Sequence, residues 1–247
     1  MSENLTIETN KALKDLFYEY THLSLGGKEI VCPYWMNKLG KVVFGPGGGK
    51  GKPKEIIEFT KTEAENKKID LGKLTADEII SFMKKNRIGI DCSGFVFWLL
   101  DALDLEKGGN GISDDIPGSQ GKFIKTRASA KMLTNDEVSF SIEQAGQIQP
   151  GDMLRFRGGN HLAVVLSTVK ENNQIKEIVY GHSSSNAYSE QSGVHEGKIL
   201  IINPKLSLRQ QKWEEKTNNN SSYAQNIWPN KGDGVKRLKI WQKQDLI

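Results

Sequence analysis

The amino-acid sequence predicts an α+β protein built on an antiparallel sheet. Apolar residues recur at helical spacing through roughly the first 105 residues, whereas from residue 150 onward they fall in the short runs that are typical of strands. Because helices and strands are segregated along the chain, helices packed on one antiparallel sheet are the expected arrangement. A chain of 247 residues is long enough to bury a substantial core as one domain with an elaboration.

Three helices are predicted in the N-terminal part of the chain. The first covers residues 10–24, the second begins at Pro53 and the third begins at Thr75. Proline is favoured at the first position of a helix, and Thr75 forms a capping box with Glu78, so both starts follow from the local sequence. Residues 1–88 are therefore interpreted as an N-terminal helical elaboration.

A glycine-rich loop at residues 45–52 follows a short strand-like run at residues 41–44. The order of strand, glycine-rich loop and helix also occurs in phosphate-binding loops. That motif requires Ser or Thr directly after its lysine, and neither Lys50 nor Lys52 is followed by one. The loop is interpreted instead as a mobile lid or a basic rim.

The segment that follows Gly89 places a cysteine at the start of an apolar helix, predicted from Asp91 to about Leu105. Asp91 can cap the N-terminus of this helix, so Cys92 falls in the first turn. Backbone N–H groups and the helix dipole favour an anion at this end. We therefore expect a thiolate to form more easily at Cys92 than at an ordinary cysteine. The inward apolar stripe consists of Phe95, Val96, Leu99 and Leu103.

Residues 89–247 are interpreted as the core of the protein. An insertion at about residues 106–145 is predicted to be dominated by loops, with at most one short helix. The strands follow this insertion. They are predicted at residues 153–156, 161–169, 175–180, 198–202 and 235–241.

Hairpin geometry places two of the four histidines together. A turn centred near Asn172 would pair His161 with residues 182–184, which puts His161 and His182 at the same edge of the sheet. A thiol at a helix N-terminus, a histidine base and a second polar group that orients the base form the constellation of cysteine hydrolases. His195 is an alternative to His182 for the orienting role.

Four segments resemble the NlpC-type papain-like cysteine peptidases, a superfamily of bacterial cell-wall endopeptidases. The resemblance covers about residues 92–183 and implies a papain-like core, with the nucleophile helix packed on the antiparallel sheet. It implies that Cys92 is the nucleophile, His161 the base and His182 the orienting residue. The matching segments are residues 91–96, 150–154, 161–165 and 180–183.

The resemblance also implies the reaction and further site residues. The substrate would be an amide bond in a peptidoglycan peptide, cleaved through a thioester intermediate without a cofactor. Tyr34, in a Pro-Tyr-Trp segment, would point into the site and contact the oxyanion or the substrate, with a place in the aromatic core as the alternative. Asp91 and Ser93, which flank the cysteine, are additional candidates for contacts with the substrate or the oxyanion.

Composition and charge argue against several other classes of protein. The net charge of +4 is typical of a solvated surface, and the basic tail at residues 236–241 is predicted to be a strand, so no nucleic-acid partner is expected. The chain contains no run of 18 apolar residues, so no membrane span is expected. Its N-terminus lacks the features of a secretory signal, which predicts a protein that is cytoplasmic as synthesised, with signal-independent export left open.

Cysteine and histidine spacing argue against a disulfide framework and a metal site. Two cysteines in a chain of this length favour a reduced, usable thiol. Cys92, His161 and His182 include the right ligand types for zinc but lack paired-ligand spacing, so no metal is expected. Two other functions remain open. The chain could be a degenerate papain-like module that only binds peptide or glycan, or an amidase that acts on a non-wall substrate.

Overall fold

The structure, a computed structural model, describes residues 5–36, 46–116, 128–185, 189–228 and 231–241. Within these ranges six α-helices accompany an antiparallel sheet, which confirms the α+β fold class. The strand predicted at residues 41–44 lies outside the described ranges. The helices are α1 (Lys11–Thr21), α2 (Pro53–Asn66), α3 (Ala76–Lys85), α4 (Cys92–Glu106), α5 (Ala130–Leu133) and α6 (Tyr223–Ile227). None of these helices is long and apolar enough to span a membrane.

Eight of the strands in the described residues form one sheet, and the other two form a separate hairpin. The sheet has the order β4-β10-β5-β6-β7-β8-β9, and β1 pairs with the part of β6 that extends beyond β5. The hairpin is β2-β3. The strands are β1 (Leu5–Thr9), β2 (Leu23–Leu25), β3 (Lys28–Ile30), β4 (Ser139–Ile142), β5 (Met153–Phe156), β6 (His161–Glu171), β7 (Gln174–Ser184), β8 (Gly193–Leu200), β9 (Lys212–Trp213) and β10 (Gly234–Leu238).

The helix starts that depend on local capping are confirmed. Pro53 opens α2, Thr75 caps α3 through its reciprocal hydrogen bonds with Glu78, and α4 begins directly after Asp91. The prediction that the first helix reaches residue 24 is wrong. It ends at Thr21 because the chain enters the β2-β3 hairpin at once.

The sheet extends beyond the strands that were predicted. β4 lies at the end of the predicted insertion and pairs with β10, and β1 lies in the N-terminal region and pairs with β6. All five side chains of β1 are exposed, so its sequence lacks the alternating apolar pattern of a half-buried strand. β8 begins at Gly193 rather than at residue 198, and β10 ends at Leu238, before the predicted end at residue 241.

The hairpin of β6 and β7 follows the predicted geometry. Asn172 and Asn173 both have positive φ angles, at 50° and 62°, and connect the pair Glu171 and Gln174. Asparagine tolerates this backbone region, and two successive positive φ values match the twist of a tight hairpin. The turn therefore fixes the register that brings the start of β6 beside the end of β7.

Helix α4 lies at the centre of the fold, between α1 and the strands β6 and β7. It is buried on nearly all sides from Cys92 to Asp104, not along a single stripe. Its buried carboxylates bind backbone: Asp101 accepts a hydrogen bond from the N–H of Ile112, and Asp104 accepts one from the N–H of Gly111. These bonds hold the start of the predicted insertion against the C-terminal part of the helix.

The described part of the glycine-rich loop differs from the predicted lid or rim. Residues 46–48 form a short helical turn, and Lys50 is only 8% exposed. The loop packs against the beginning of α4, where the carbonyl of Gly49 accepts a hydrogen bond from the N–H of Asp91 at 2.9 Å. Sequence composition alone could not reveal this packing, because the partner residues lie about 40 positions away along the chain.

Candidate functional site

Cys92 is the first residue of α4, and its neighbour Asp91 caps the helix as predicted. The Asp91 carboxylate accepts a hydrogen bond from the N–H of Gly94 at 2.7 Å. Cys92 itself is buried, with 7% of the residue exposed. The local sequence therefore places a thiol at the N-terminal end of a fixed, buried helix.

The two histidines predicted to meet across the hairpin do so. His161 Nε2 lies 3.0 Å from His182 Nδ1, and both rings are buried. The two ring nitrogens share a direct hydrogen bond, which links the first residue of β6 to a residue near the end of β7. His161 Nδ1 is then the ring nitrogen that can exchange a proton with another group.

Further contacts bring the helix N-terminus to this edge of the sheet. The backbone N–H of Leu162, the residue after His161, interacts with the Cys92 sulfur. On the neighbouring strand, the Ser183 hydroxyl donates a hydrogen bond to the carbonyl of Ile90 at 2.8 Å. These contacts place Cys92 against the start of β6 and the end of β7, the strand ends that carry His161 and His182.

Glu215 is a member of the site that sequence reasoning missed. One of its carboxylate oxygens, Oε1, lies 3.2 Å from His182 Nε2, although the geometry is poor for a hydrogen bond. The same oxygen accepts a hydrogen bond from the Ser189 hydroxyl at 2.6 Å. Its other oxygen, Oε2, accepts a hydrogen bond from the Tyr180 hydroxyl. Burial alone would raise the pKa of Glu215, but interactions with His182 and His195 hold this pKa well below its usual value.

A period-two pattern could have located Glu215. In the segment that contains β9, Trp213 and Glu215 are buried while Lys212 and Glu214 are exposed. This is the alternation of a half-buried strand with a glutamate on its inner face. A buried carboxylate needs partners, so its position on the inner face marks it as a candidate for pairing with a histidine.

His195 lies beyond His182, not beside His161. It pairs with His182 across β7 and β8, and the two rings are 4.2 Å apart between centroids. Its Nδ1 bonds the carbonyl of Gly193 at 3.0 Å, and its Nε2 lies 3.3 Å from Glu215 Oε1. Of the two histidines considered for the orienting role, His182 is the one in contact with His161, and His195 contacts Glu215 instead.

Tyr223 is a second group that the sequence did not indicate. Its hydroxyl lies 3.3 Å from His182 Nδ1, and it interacts electrostatically with Cys92. Burial raises the pKa of this phenol well above its usual value, so the hydroxyl is neutral. Tyr223 opens α6, which follows a polar stretch with no periodic signal, and the tyrosine is carried to the site by the chain after β9.

Burial dominates the ionisation of Cys92 and His161. It raises the pKa of the Cys92 thiol to about 11, and Asp91 adds to the effect, while Lys50 and the N–H groups of Leu162 and Ser93 oppose it. Burial also lowers the pKa of His161 well below its usual value, and the interaction with His182 lowers this pKa further. The easily formed thiolate expected at this helix terminus is therefore not observed. Desolvation outweighs the opposing effects of Lys50 and of the two N–H groups, so at rest Cys92 is a neutral thiol and His161 is a neutral imidazole.

The neutral histidines predict that acid destabilises the fold. The folded-state pKa values of His161 and His182 lie below the ordinary 6.5, mainly because both rings are buried. Below about pH 6.5 the unfolded chain therefore binds protons that the folded chain does not, so the free energy of unfolding falls as the pH drops. We expect a lower urea midpoint at pH 5 than at pH 7, with a shallower pH dependence in His161→Gln. An equally steep dependence in that variant would contradict the prediction.

The three remaining predicted site residues lie close to Cys92. Tyr34 forms a parallel β-bridge with Ile90, so the Pro-Tyr-Trp segment runs directly beside the chain that enters α4. Ser93 accepts a hydrogen bond from Lys50 at 2.6 Å and donates to Asp91 at 3.2 Å. Tyr34 and Cys92 are more than 50 positions apart in the sequence. The β-bridge between Tyr34 and Ile90 brings their two segments side by side. The side-chain hydrogen bonds of Asp91 and Ser93 stay within the cluster that holds the helix N-terminus.

One group of side chains also has the ligand types of a metal site. His182, His195 and Glu215 each offer one ligand atom, and these three atoms lie within 4.8 Å of one another. All three residues are buried. Two imidazole nitrogens and a carboxylate are a known ligand set for zinc. This differs from the set considered from the sequence, because Cys92 and His161 are not part of it.

Comparisons with known proteins give no relative. No family model, no curated protein and no solved structure matches the chain. The arrangement of side chains itself is therefore the basis for a functional assignment.

Proposed function

We propose that this chain is a cysteine hydrolase that cleaves an amide bond in a bacterial cell-wall peptide. The observation that carries the reaction class is the linked series of side chains from His161 through His182 to Glu215, placed beside Cys92 at a helix N-terminus. A nucleophile, a base and a group that orients the base are the parts that covalent hydrolysis requires. The substrate class rests on the resemblance of four sequence segments to NlpC-type peptidases.

In the proposed first step the Cys92 sulfur attacks the carbonyl carbon of the amide. The thiol proton passes to His161 Nδ1 as the carbon–sulfur bond forms, and the carbonyl electron pair moves to oxygen. Because the resting pair is neutral, His161 acts as a general base during attack and not as one half of a preformed ion pair. The Cys92 backbone N–H, at the start of α4 where amides lack partners within the helix, is a donor for the oxyanion.

Collapse of this intermediate releases the amine and leaves a thioester. The imidazolium of His161 gives its proton to the leaving nitrogen as the carbon–nitrogen bond breaks. A water molecule then attacks the thioester carbon while His161 takes one of its protons, and that proton returns to the sulfur as the acid leaves. The net reaction is the addition of one water molecule across the amide, with no cofactor.

His182 and Glu215 are proposed to hold the base in the tautomer that this sequence of steps needs. The Nε2–H of His161 donates to His182 Nδ1, which keeps His161 Nδ1 unprotonated and able to accept the thiol proton. His182 then carries its own proton on Nε2, next to the Glu215 carboxylate. The positive charge that forms on His161 during attack is stabilised through this series of contacts.

The same tautomer argument predicts how metals affect the reaction. A metal on His182 Nε2 would move the proton of this ring to Nδ1, which would then donate to His161 Nε2 and leave His161 Nδ1 protonated. The base could not take up the thiol proton. We expect hydrolysis to persist after treatment with a chelator and to fall when Zn²⁺ is added. Loss of hydrolysis on chelation, with recovery on adding zinc, would contradict the proposed mechanism.

The substrate proposal is tested with defined peptidoglycan fragments. Purified protein is incubated with muropeptides that differ in peptide length and cross-linking, and products are identified by mass. Products that result from cleavage of an amide within the peptide support the proposal. Cleavage of only non-wall amides would favour the amidase alternative. Binding of fragments without any cleavage would favour a peptide- or glycan-binding module and would overturn the assignment of hydrolysis.

A further inference from the structure

A buried lysine lies at the start of the nucleophile helix. The Lys50 ammonium is 2.6 Å from Asp91 Oδ1 and 2.6 Å from the Ser93 hydroxyl, the two residues on either side of Cys92. The side chains of Lys50 and Asp91 are each 9% exposed. This ion pair is therefore withdrawn from water at the residue next to the nucleophile.

The loop that carries Lys50 is fixed to α4 by several independent contacts. Its Lys50 carbonyl accepts a hydrogen bond from Trp98 Nε1 at 2.6 Å, and Lys50 forms an antiparallel bridge with Ile90. The close approach depends on Gly94, where an added Cβ would lie 2.8 Å from the carbonyl oxygen of Gly49 and from the Lys50 side chain. The position of the ammonium is thus built into the fold.

Stability alone is a weak reason for such a pair. Removing two charges from water costs several kcal/mol of desolvation, roughly offset by their attraction, so a buried pair often adds little net stability. A capping residue at the same position needs only an oxygen, and Asn caps about as well as Asp. The pair of charges has its clearest consequence in the electric field at the adjacent sulfur.

We propose that Lys50 is a positioning residue of the candidate site, whose ammonium compensates the Asp91 carboxylate and so sets the electrostatic environment in which Cys92 reacts. This inference rests on the proposed function, because it concerns the same thiol. Lys50 does not touch the reacting atoms. It acts through Asp91, whose uncompensated negative charge beside Cys92 would oppose formation of a second negative charge on the sulfur.

The other groups around this cluster do not supply the same compensation. Tyr223 faces Cys92 as a neutral phenol, and His161 is a neutral imidazole at rest. Tyr20 interacts with Asp91 but is likewise a neutral phenol, whose hydroxyl donates to the Gly51 carbonyl at 2.9 Å. Arg157 lowers the pKa of His161 and of Tyr223. Lys50 is the cation that opposes the effects of burial and Asp91 on Cys92.

The test measures the alkylation rate of Cys92 against pH, with peptide mapping, in Lys50→Met, in Asp91→Asn and in the double variant. Met keeps the length and apolar stem of Lys50, and Asn keeps the capping oxygen of Asp91. We expect Lys50→Met to displace the profile to higher pH and Asp91→Asn to displace it to lower pH. A displacement of about one pH unit corresponds to an about tenfold change in rate below the pKa. The double variant should return close to the wild-type profile.

Opposite displacements distinguish a charge effect from loosening of the loop, which would change both single variants in the same direction. Lys54→Met is the matched control, because Lys54 is an exposed lysine four positions along the chain, and its profile should be unchanged. If Lys50→Met does not fold, Asp91→Asn still tests the proposal. Coincident profiles, or a double variant displaced as far as Lys50→Met, would overturn it.

Alkylation reports on the thiol and not on the hydrolysis of a substrate, so the two proposals can fail separately. Opposite displacements in a protein that cleaves no amide would support the role of Lys50 and reject the hydrolase function. Hydrolysis that depends on Cys92, together with identical alkylation profiles in all the variants, would support the hydrolase function and reject the role of Lys50.

Discussion

Replacing Cys92 with alanine is expected to lower amide hydrolysis by about 10³-fold or more, because the proposed reaction loses the atom that would form the thioester. The fold should remain intact, since the substitution removes a single sulfur atom from the side chain. The measurement is the rate of product release from a muropeptide, together with the thermal midpoint of the variant.

Cys32→Ala is the matched control for this experiment. Cys32 is the other free cysteine, fully buried in the core, where burial raises its thiol pKa far above the usual range. Its removal should lower stability through a small cavity while leaving the rate of hydrolysis per folded molecule unchanged. Undiminished hydrolysis by Cys92→Ala would reject the proposed nucleophile, whatever the result for Cys32.

Replacing Glu215 with glutamine is expected to lower hydrolysis by about 10²-fold to 10⁴-fold, the range seen when the group that orients a catalytic histidine loses its charge. Glutamine has the same shape but can donate a hydrogen bond to His182 Nε2 and thereby favour the wrong tautomer. The loss should appear mainly in kcat, because Glu215 is buried against two histidines and would act through His182.

Glu214→Gln provides the control for the loss of a negative charge at this part of the chain. Glu214 is the adjacent residue and is exposed, so its substitution should leave both kcat and KM near the wild-type values. If Glu215→Gln retained hydrolysis within about twofold of the wild type, His182 would not depend on the carboxylate, and the proposed series of side chains would end at His182.

The features that the sequence predicted correctly are set by local interactions. The Asp91 side chain caps α4 by accepting a hydrogen bond from the N–H of the residue three positions later, and Thr75 caps α3 in the same way through the N–H of Glu78. The meeting of His161 with His182 follows from one tight turn, because an antiparallel hairpin converts the turn position into a register. In each case the deciding contacts lie within one element or one hairpin.

The features that were missed depend on contacts between distant parts of the chain. Glu215 reaches His182 only because β9 adds to the sheet beside β8, and the short β9 gives little pattern in the sequence. Lys50 lies against Asp91 because a loop from about 40 positions earlier packs on α4. A pattern in the neighbouring residues does not report the pairing of Lys50 with Asp91, whereas the alternation of Trp213 and Glu215 was a usable sign that Glu215 faces inward.

The expectation about the thiolate was wrong for a different reason. The helix N-terminus does favour an anion, and the sequence located that terminus correctly. The degree of burial around Cys92, however, is a property of the whole fold, and desolvation is the larger effect on the thiol. A local motif therefore locates a cysteine at a helix N-terminus but does not reveal the resting ionisation state of its thiol.

In the proposed mechanism His161 takes the proton of Cys92, and this step is tested by comparing the alkylation rate of Cys92 against pH in the wild type and in His161→Gln. Peptide mapping separates Cys92 from Cys32, which serves as the internal reference. At neutral pH we expect the variant to react about tenfold or more slowly at Cys92, with no change at Cys32. Identical Cys92 profiles in the two proteins would reject His161 as the base, because the thiol would then lose its proton without it.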